Sequence, residues 1–153
     1  MPKEYGQPCP VAKALAFLGE RWTLLVVRDL LLKPRTFKDL RTSLRGVTPA
    51  VLSHRLKVLE AKKIVRRGMY SRHPPRAEYS LTERGLELRP VIRALGVWGG
   101  RHVHKGSAML HVECGHPIEM AYFCAECDRM VESGAVRHLP TKTRRMTRSA
   151  SGG

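Results

Sequence analysis

The sequence predicts a mainly α-helical protein with a small β-wing, a winged helix-turn-helix, followed by a short C-terminal module rich in cysteine and histidine. Two observations predict the first part: two short amphipathic segments are joined by Gly46, and a basic segment of β-like composition follows the second. The third is that three of the four cysteines lie within residues 114–127. We therefore expect a winged-helix region at residues 1–105, a Cys/His module at 106–136 and a disordered basic tail at 137–153.

Proline and glycine residues mark the predicted ends of the first two helices. Pro10 fits the first turn of a helix, where its missing N–H would be unpaired anyway, and Gly19 ends that helix. Residues 22–32 are apolar on nearly all sides, which is typical of a central helix covered by several neighbours, and Pro34 follows its end. One face of the first helix carries Val11, Leu15 and Leu18.

Two further helices are predicted on either side of Gly46. Thr36 with Asp39 three residues later approximates a capping box, and Thr48 is an N-cap followed by Pro49 at the first helical position. The apolar stripe of the earlier helix is Phe37, Leu40 and Leu44, and that of the later helix is Leu52, Leu56 and Leu59. The later helix has polar side chains on its other face, so we expect it to be the recognition helix.

A basic β-hairpin is predicted directly after the recognition helix. Residues 64–70 and 77–81 are β-like, and Pro74 and Pro75 between them cannot donate ladder hydrogen bonds, so they belong at a hairpin tip or a sheet edge. The basic side chains in and near the tip are Arg66, Arg67, Arg72, His73 and Arg76. A DNA-contacting wing requires such a hairpin.

A long helix is predicted after the Thr82 cap, with Pro90 inside it. Proline in a helix interior removes a hydrogen bond and clashes with the preceding turn, so we expect a kink or a split there. One face carries Leu88, Val91, Ile92, Leu95 and Trp98. This face fits a dimer seam or an intramolecular contact about equally well.

The chain is strongly basic. It contains 28 Lys and Arg against 13 Asp and Glu, a formal net charge of +15, and residues 1–136 alone carry 23 basic and 13 acidic side chains, or +10. A polyanion is the natural partner, because each neutralised phosphate releases condensed counterions, and a solvated basic surface is the alternative. No apolar run is long enough for a membrane span and no apolar signal segment is present, so we expect a cytoplasmic protein.

The predicted DNA contacts are hydroxyl and cationic side chains of the helix-turn-helix and the arginines of the hairpin. Hydroxyls and cations bind phosphate, and His54 and Lys57 are expected to reach base edges in the major groove. The hairpin arginines should contact phosphate or enter the minor groove. The candidates are Arg35, Lys38, Thr48, Ser53, His54, Arg55, Lys57, Arg66, Arg67, Arg72 and Arg76. An ordinary solvated face is the alternative.

The C-terminal cysteines and histidines have metal-ligand spacing. Cys124 and Cys127 can clasp one ion, and Cys114 with His116 would complete a tetrahedral set for one structural zinc per chain. His111 competes for the fourth position, since it also lies three residues from Cys114. A module of about 25 residues has little core, so a metal would supply its folding energy. The alternatives are a redox-active Cys124/Cys127 pair and cysteines that merely pack.

Cys9 is a candidate sensor thiol. At the start of the first helix its sulfur would face unpaired N–H groups and the positive end of the helix dipole, and both favour the reactive thiolate. A free cysteine is also often a small buried hydrophobe, which is the alternative here.

Taken together, these motifs resemble the HxlR-type family of bacterial winged-helix regulators, relatives of the MarR group. The resemblance covers residues 9–100 and rests on the stretches Cys9-Pro10, Gly19-Glu20-Arg21-Trp22-Thr23-Leu24-Leu25, Arg35-Thr36-Phe37-Lys38-Asp39-Leu40, Val47-Thr48-Pro49, Leu52-Ser53-His54-Arg55-Leu56 and, most specifically, Pro74-Pro75-Arg76-Ala77-Glu78-Tyr79-Ser80-Leu81-Thr82-Glu83-Arg84-Gly85. It implies a homodimer, built from the first and last helices, on a pseudo-palindromic DNA site. It also implies that a cysteine at the Cys9 position senses oxidants or electrophiles in some members.

Other function classes fit less well. A thiol–disulfide exchange enzyme using Cys124 and Cys127 would need a βαβ context, which the chain lacks, so we do not expect an enzyme. A non-specific basic nucleic-acid binder remains an alternative, although the aromatic platforms of single-strand binders are missing. We therefore expect a transcriptional regulator of double-stranded DNA that responds to an oxidant or a small molecule.

Overall fold

In the computed structural model, residues 5–7, 9–72, 75–104 and 108–137 are described. The elements in chain order are α1 (Pro10–Leu18), α2 (Thr23–Leu32), β1 (Arg35–Thr36), α3 (Phe37–Ser43), α4 (Pro49–Ala61), β2 (Val65–Arg72), β3 (Pro75–Leu81), α5 (Glu83–Leu86), α6 (Arg89–His102), β4 (Tyr122–Cys124), β5 (Arg129–Val131) and a 3-10 turn (Ser133–Ala135). This mixture of helices and a small antiparallel sheet confirms the winged helix-turn-helix part of the predicted fold class. The predicted tail beyond residue 137 lies outside the described residues.

The core lies between α2, α3, α4 and the hairpin. The predicted leucine stripe of α4 is fully buried at Leu52, Leu56 and Leu59, and Leu40 and Leu44 close the side formed by α3. The other buried apolar residues of this core are Leu18, Val26, Val27, Leu30, Val47, Ile64, Val65 and Leu81. Burying one face of each short helix fixes their relative positions, because an isolated helix of this length is only marginally stable.

The wing belongs to a three-stranded antiparallel sheet in the order β1-β3-β2. In the β2–β3 hairpin Val65 pairs with Leu81 and Arg67 with Tyr79, and the register shifts between Met69 and Ser71. Strand β1 was not predicted: it has only two residues, too few to show alternation, and it forms because α2 ends beside β3.

The predicted break at Pro90 is confirmed. Proline stands at the start of α6, and α5 is a separate single turn capped by Thr82. Gly85 in α5 is required by close approach, since a Cβ there would lie 2.2 Å from the Ile64 carbonyl oxygen. The apolar face of α6 divides: Leu88 and Ile92 pack against the core, whereas its other apolar side chains, Val91, Leu95 and Trp98, are exposed in the single chain.

The C-terminal module contains two small hairpin-like turns. Leu110 pairs with Pro117 in an isolated bridge, and β4 pairs with β5. None of the residues described between 108 and 137 is buried. No helix within the described ranges is long and apolar enough to cross a membrane.

Candidate nucleic-acid interface

The recognition helix α4 is held by its cap and by its buried leucines. The Thr48 hydroxyl accepts a hydrogen bond from the Val51 backbone N–H at 3.3 Å, and Pro49 occupies the first turn, as predicted. With the leucine face buried, His54 and Lys57 are exposed and Ser53 is half-buried. The helix therefore presents one continuous polar face outside the core.

Arg55 makes side-chain contacts within the protein. The sequence predicted a DNA contact at the edge of the polar face, but the guanidinium lies against the turn between α1 and α2. Its Nη2 is 2.7 Å from Glu20 Oε2, and its Nε donates to the Arg21 carbonyl oxygen at 3.2 Å. Only 16% of the Arg55 side chain is exposed. Two of its donor groups, Nε and Nη2, are thus directed at the protein, so Arg55 braces α4, and its contact with DNA stays a prediction.

Helix α3 carries an exposed cation, Arg41, that was not among the sequence candidates. Lys38 is exposed on α3, and Arg41 stands one turn further along, so both line a shallow depression with Phe37 and Thr42. The signal that could have identified Arg41 is its three-residue spacing from Lys38. Arg35, by contrast, is half-buried on β1, and its Nε is enclosed without a hydrogen-bond partner in the described part of the chain.

The wing arginines differ in position. Arg66 and Arg67 are both exposed, but consecutive strand residues point to opposite faces, so the two cannot meet the same DNA surface. Arg66 Nε donates to the Ser80 hydroxyl at 2.9 Å. The backbones of Arg72 and Arg76 lie near the end of the hairpin, paired with Pro75 and Ser71. Their side chains, and the whole of His73 and Pro74, lie outside the described residues.

Cys9 is the N-cap residue of α1, as predicted, with an extended backbone (φ −112°, ψ 128°). The thiol is half-buried and makes no side-chain capping hydrogen bond. The expected contact between the sulfur and the first helical N–H groups is therefore not formed.

The predicted zinc ligands form separate pairs. Cys124 and Cys127 contact each other, and hydrogen bonds from the Cys127 backbone and side chain lower the pKa of Cys124, whereas donating to Cys124 raises the pKa of Cys127. Cys114 pairs with His111, whose Nδ1 lies 3.1 Å from the sulfur, and not with His116. Among the described residues no three His, Cys, Asp or Glu side chains converge, so the expected tetrahedral set is not preformed. Zinc binding stays a prediction.

The surroundings of Cys124 and Cys127 differ from those of an exchange enzyme. The two cysteines lie at the turn between β4 and β5. Thiol–disulfide exchange sites instead use the positive end of a helix that follows a strand. The described part of the chain offers no such helix at this pair.

Comparison with known proteins identifies the family of this chain. The model of the family described as HxlR-like helix-turn-helix matches residues 17–107. The HTH-type transcriptional regulator Rv3095 of Mycobacterium tuberculosis is 33% identical over 134 residues, which cover 85% of this chain and 84% of that protein. An alignment of this length must include α3 to α6 and part of the C-terminal module.

Two solved structures have similar folds. The reduced form of the transcriptional regulator YodB from Bacillus subtilis is 31% identical, with a TM-score of 0.56, covering 65% of this chain and 98% of YodB. The redox regulator HypR in its oxidised form is 33% identical, with a TM-score of 0.59, covering 61% of this chain and 97% of HypR. Both likenesses cover nearly the whole of the compared chain.

Proposed function

Because the chain belongs to the HxlR-like helix-turn-helix family and is a transcriptional regulator of the HxlR type, we propose that it binds a pseudo-palindromic DNA site as a homodimer in the bacterial cytoplasm. The observation that carries this proposal is the geometry of α4. The helix is capped at Thr48 and buried along its leucine face, so a rigid polar face is left for the major groove.

Within that face, the roles follow from side-chain chemistry and exposure. His54 and Lys57 are exposed and long enough to reach base edges, whereas Thr48 and Ser53 have hydroxyls suited to phosphate. Lys38 and Arg41 on α3 would contact the DNA backbone beside the groove. We leave Arg55 out of the contact set because its Nε and Nη2 already bind the Arg21 carbonyl oxygen and Glu20, and its side chain is only 16% exposed.

In the wing, Arg66 and Arg67 leave opposite faces of the β2–β3 hairpin. In this proposal one of the two contacts the DNA backbone. The hydrogen bond from Arg66 to Ser80 makes Arg67 the freer cation. We therefore assign the phosphate contact of the described wing to Arg67.

The dimer seam is proposed on α1 and α6. On α6 the exposed fractions of Val91, Leu95 and Trp98 are 43%, 51% and 59%, and these positions follow one helical face. On α1, Val11 and Leu15 are exposed one turn apart. Each large apolar side chain contributes about 1.5–3 kcal/mol when it is fully buried, so joining these faces would supply a substantial driving force for association.

The DNA contact is tested by charge removal at matched sites. Lys57→Ala should lower affinity for the upstream intergenic duplex roughly fivefold at 0.15 M salt and reduce the salt slope by about 0.9. Arg129→Ala removes an exposed cation from β5, outside the proposed interface, and should change neither. Equal effects of the two variants, or equal affinity for a scrambled duplex, would leave only a non-specific basic nucleic-acid binder.

The seam is tested by sedimentation velocity. Leu95→Glu should convert a dimer to a monomer, because a carboxylate would be buried at the contact without a partner. Leu110→Glu is the matched control, since Leu110 is similarly exposed (54%) but lies in the C-terminal module. A dimer that persists in the Leu95→Glu protein would place the contact elsewhere.

We further propose that Cys9 renders DNA binding sensitive to oxidation. Its position as the N-cap of α1, beside the proposed seam, would let a modified thiol alter the dimer. The similar protein HypR is described as a redox regulator. Mild oxidant should release DNA from the parent protein and from Cys124→Ser, but not from Cys9→Ser. Release that persists in Cys9→Ser would remove Cys9 from the sensor role.

A further inference from the structure

We infer that the C-terminal module binds one zinc ion through His111, Cys114, Cys124 and Cys127, and that His116 is not a ligand. This inference is independent of the DNA-binding proposal. It rests on a duplicated turn, on the contact that selects His111, and on the lack of a buried core in the module.

The module contains the same five-residue turn twice. The first is His111-Val112-Glu113-Cys114-Gly115 and the second is Cys124-Ala125-Glu126-Cys127-Asp128. In both turns the residue after the second donor has a positive φ, +70° at Gly115 and +49° at Asp128. A pair closes the neck of each turn, Leu110 with Pro117 and Cys124 with Arg129. Sequence and backbone geometry therefore repeat together.

Aligning the two turns identifies the fourth donor. His111 takes the place of Cys124, and Cys114 takes the place of Cys127. His116 then corresponds to Arg129, which has no metal-binding function. Two pairs of donors, each separated by two residues, make up the ligand pattern of small structural zinc modules.

The distance within the first pair supports the same choice. His111 Nδ1 lies 3.1 Å from Cys114 Sγ. A zinc-bound sulfur at about 2.3 Å and a nitrogen at about 2.0 Å, placed tetrahedrally, are roughly 3.5 Å apart. The pair would open by only about half an ångström to accept the ion. His116 contributes its carbonyl oxygen to the His111 backbone N–H at 2.8 Å, and so supports the turn.

Metal binding would also have to bring the two turns together, since no three donors converge among the described residues. Most large apolar side chains near the two turns are solvent-exposed, for example Val112 at 97%, Phe123 at 58% and Met130 at 66%, so few packing contacts oppose this movement. Met109 and Ile118 are half-buried and line a depression beside α6. Since none of the residues described from 108 onward is buried, the free energy of metal binding would be the main source of folding energy for this module. Three thiolates and one imidazole favour zinc over calcium or magnesium, which prefer oxygen ligands.

The test is metal analysis of the full-length protein after a wash with a weak chelator. The expected content is one zinc per chain. Replacing zinc by Co²⁺ should give intense visible bands of tetrahedral cobalt and near-ultraviolet thiolate charge-transfer bands. Protein that lacks stoichiometric zinc and binds no Co²⁺ tetrahedrally would overturn the inference.

Two matched histidine variants test the ligand choice. His111→Ala should weaken Co²⁺ binding by at least about 100-fold, since loss of even a supporting partner of a ligand costs 10–100-fold. His116→Ala should bind as the parent does. His111→Cys should restore binding and add thiolate charge-transfer intensity, which separates loss of a ligand from general unfolding. The reverse pattern, with binding lost in His116→Ala and kept in His111→Ala, would overturn the assignment.

Discussion

Removing the Arg55 guanidinium should weaken the fold and leave the DNA contacts in place. Arg55 joins α4 to the turn after α1 through Glu20 Oε2 and the Arg21 carbonyl oxygen. The next residue of that turn, Trp22, has a left-handed backbone (φ 77°), a conformation that a large side chain keeps only when its surroundings hold it. Arg55→Ala removes this brace and leaves the turn under less restraint.

The expected loss is modest because one partner is partly in water. A hydrogen bond from a charged donor contributes about 1.5–3 kcal/mol when it is well shielded, and an exposed ion pair contributes about 0.2–1 kcal/mol. The Arg55 side chain is 16% exposed and that of Glu20 is 41% exposed, which places the pair between these cases. We expect Arg55→Ala to lower the free energy of unfolding by about 1–2 kcal/mol.

The assay is equilibrium urea unfolding at one protein concentration, because the stability of a dimer depends on concentration. With a slope of about 2 kcal/mol per molar urea, the midpoint should fall by roughly 0.5–1 M. Lys57→Ala, also on α4 but exposed, should leave the midpoint unchanged. A cycle with Glu20→Ala should give a coupling energy of about 0.5–1 kcal/mol between Arg55 and Glu20.

DNA binding supplies the discriminating measurement. In the absence of urea, Arg55→Ala should have the parent's slope of log binding constant against log salt concentration. Lys57→Ala should reduce the magnitude of that slope by about 0.9. If Arg55→Ala instead reduced the slope by the same amount and left the urea midpoint unchanged, Arg55 would be a phosphate ligand and the brace would be wrong.

The remaining predictions concern local structure. Gly85→Ala should destabilise the protein by about 3 kcal/mol, the upper part of the overpacking range, because its Cβ would meet the Ile64 carbonyl oxygen at 2.2 Å; thermal unfolding unchanged from the parent would contradict this close approach. Thr82→Val should cost about 1–2 kcal/mol in urea unfolding, since the hydroxyl caps α5 and also donates to the Lys63 carbonyl oxygen at 2.7 Å, while Thr82→Ser should be nearly neutral. Hydrogen bonds from the Thr36 side chain and then its backbone lower the pKa of Asp39, so this contribution to stability is complete above the ordinary carboxyl pKa and is lost as pH falls through the lowered value. As the pH falls below about 4, the free energy of unfolding should therefore decrease less in Asp39→Asn than in the parent. If the free energies of unfolding of the two proteins fell in parallel with pH, Asp39 would not contribute to the acid sensitivity.

The parts of the fold that were predicted correctly depend on nearest neighbours along the chain. The Thr36–Asp39 capping box, the Thr48 cap with Pro49 and the break at Pro90 all act within about one helical turn. The leucine stripe of α4 follows from helical periodicity alone. Such features can be predicted from the sequence because the interacting groups have a fixed separation along the chain.

Features that join distant segments of the chain were not predicted from the sequence. Strand β1 exists only because β3, more than forty residues later, supplies its hydrogen-bonding partner. Arg55 carries the same charge as Lys57, but its guanidinium contacts Glu20 and the Arg21 carbonyl oxygen, more than thirty residues earlier in the chain. Similarly, spacing left His111 and His116 open as partners of Cys114, and the folded turn selected His111.

The sequence by itself therefore determined the helices, their caps, the recognition face and the basic character of the surface, since these follow from periodicity, local hydrogen bonding and composition. Tertiary structure alone decided which cations make contacts within the protein, which part of the α6 face packs inward, and which histidine contacts a cysteine. A charged or polar side chain takes whichever partner the fold brings within hydrogen-bonding distance, and that distance depends on residues far away in the chain.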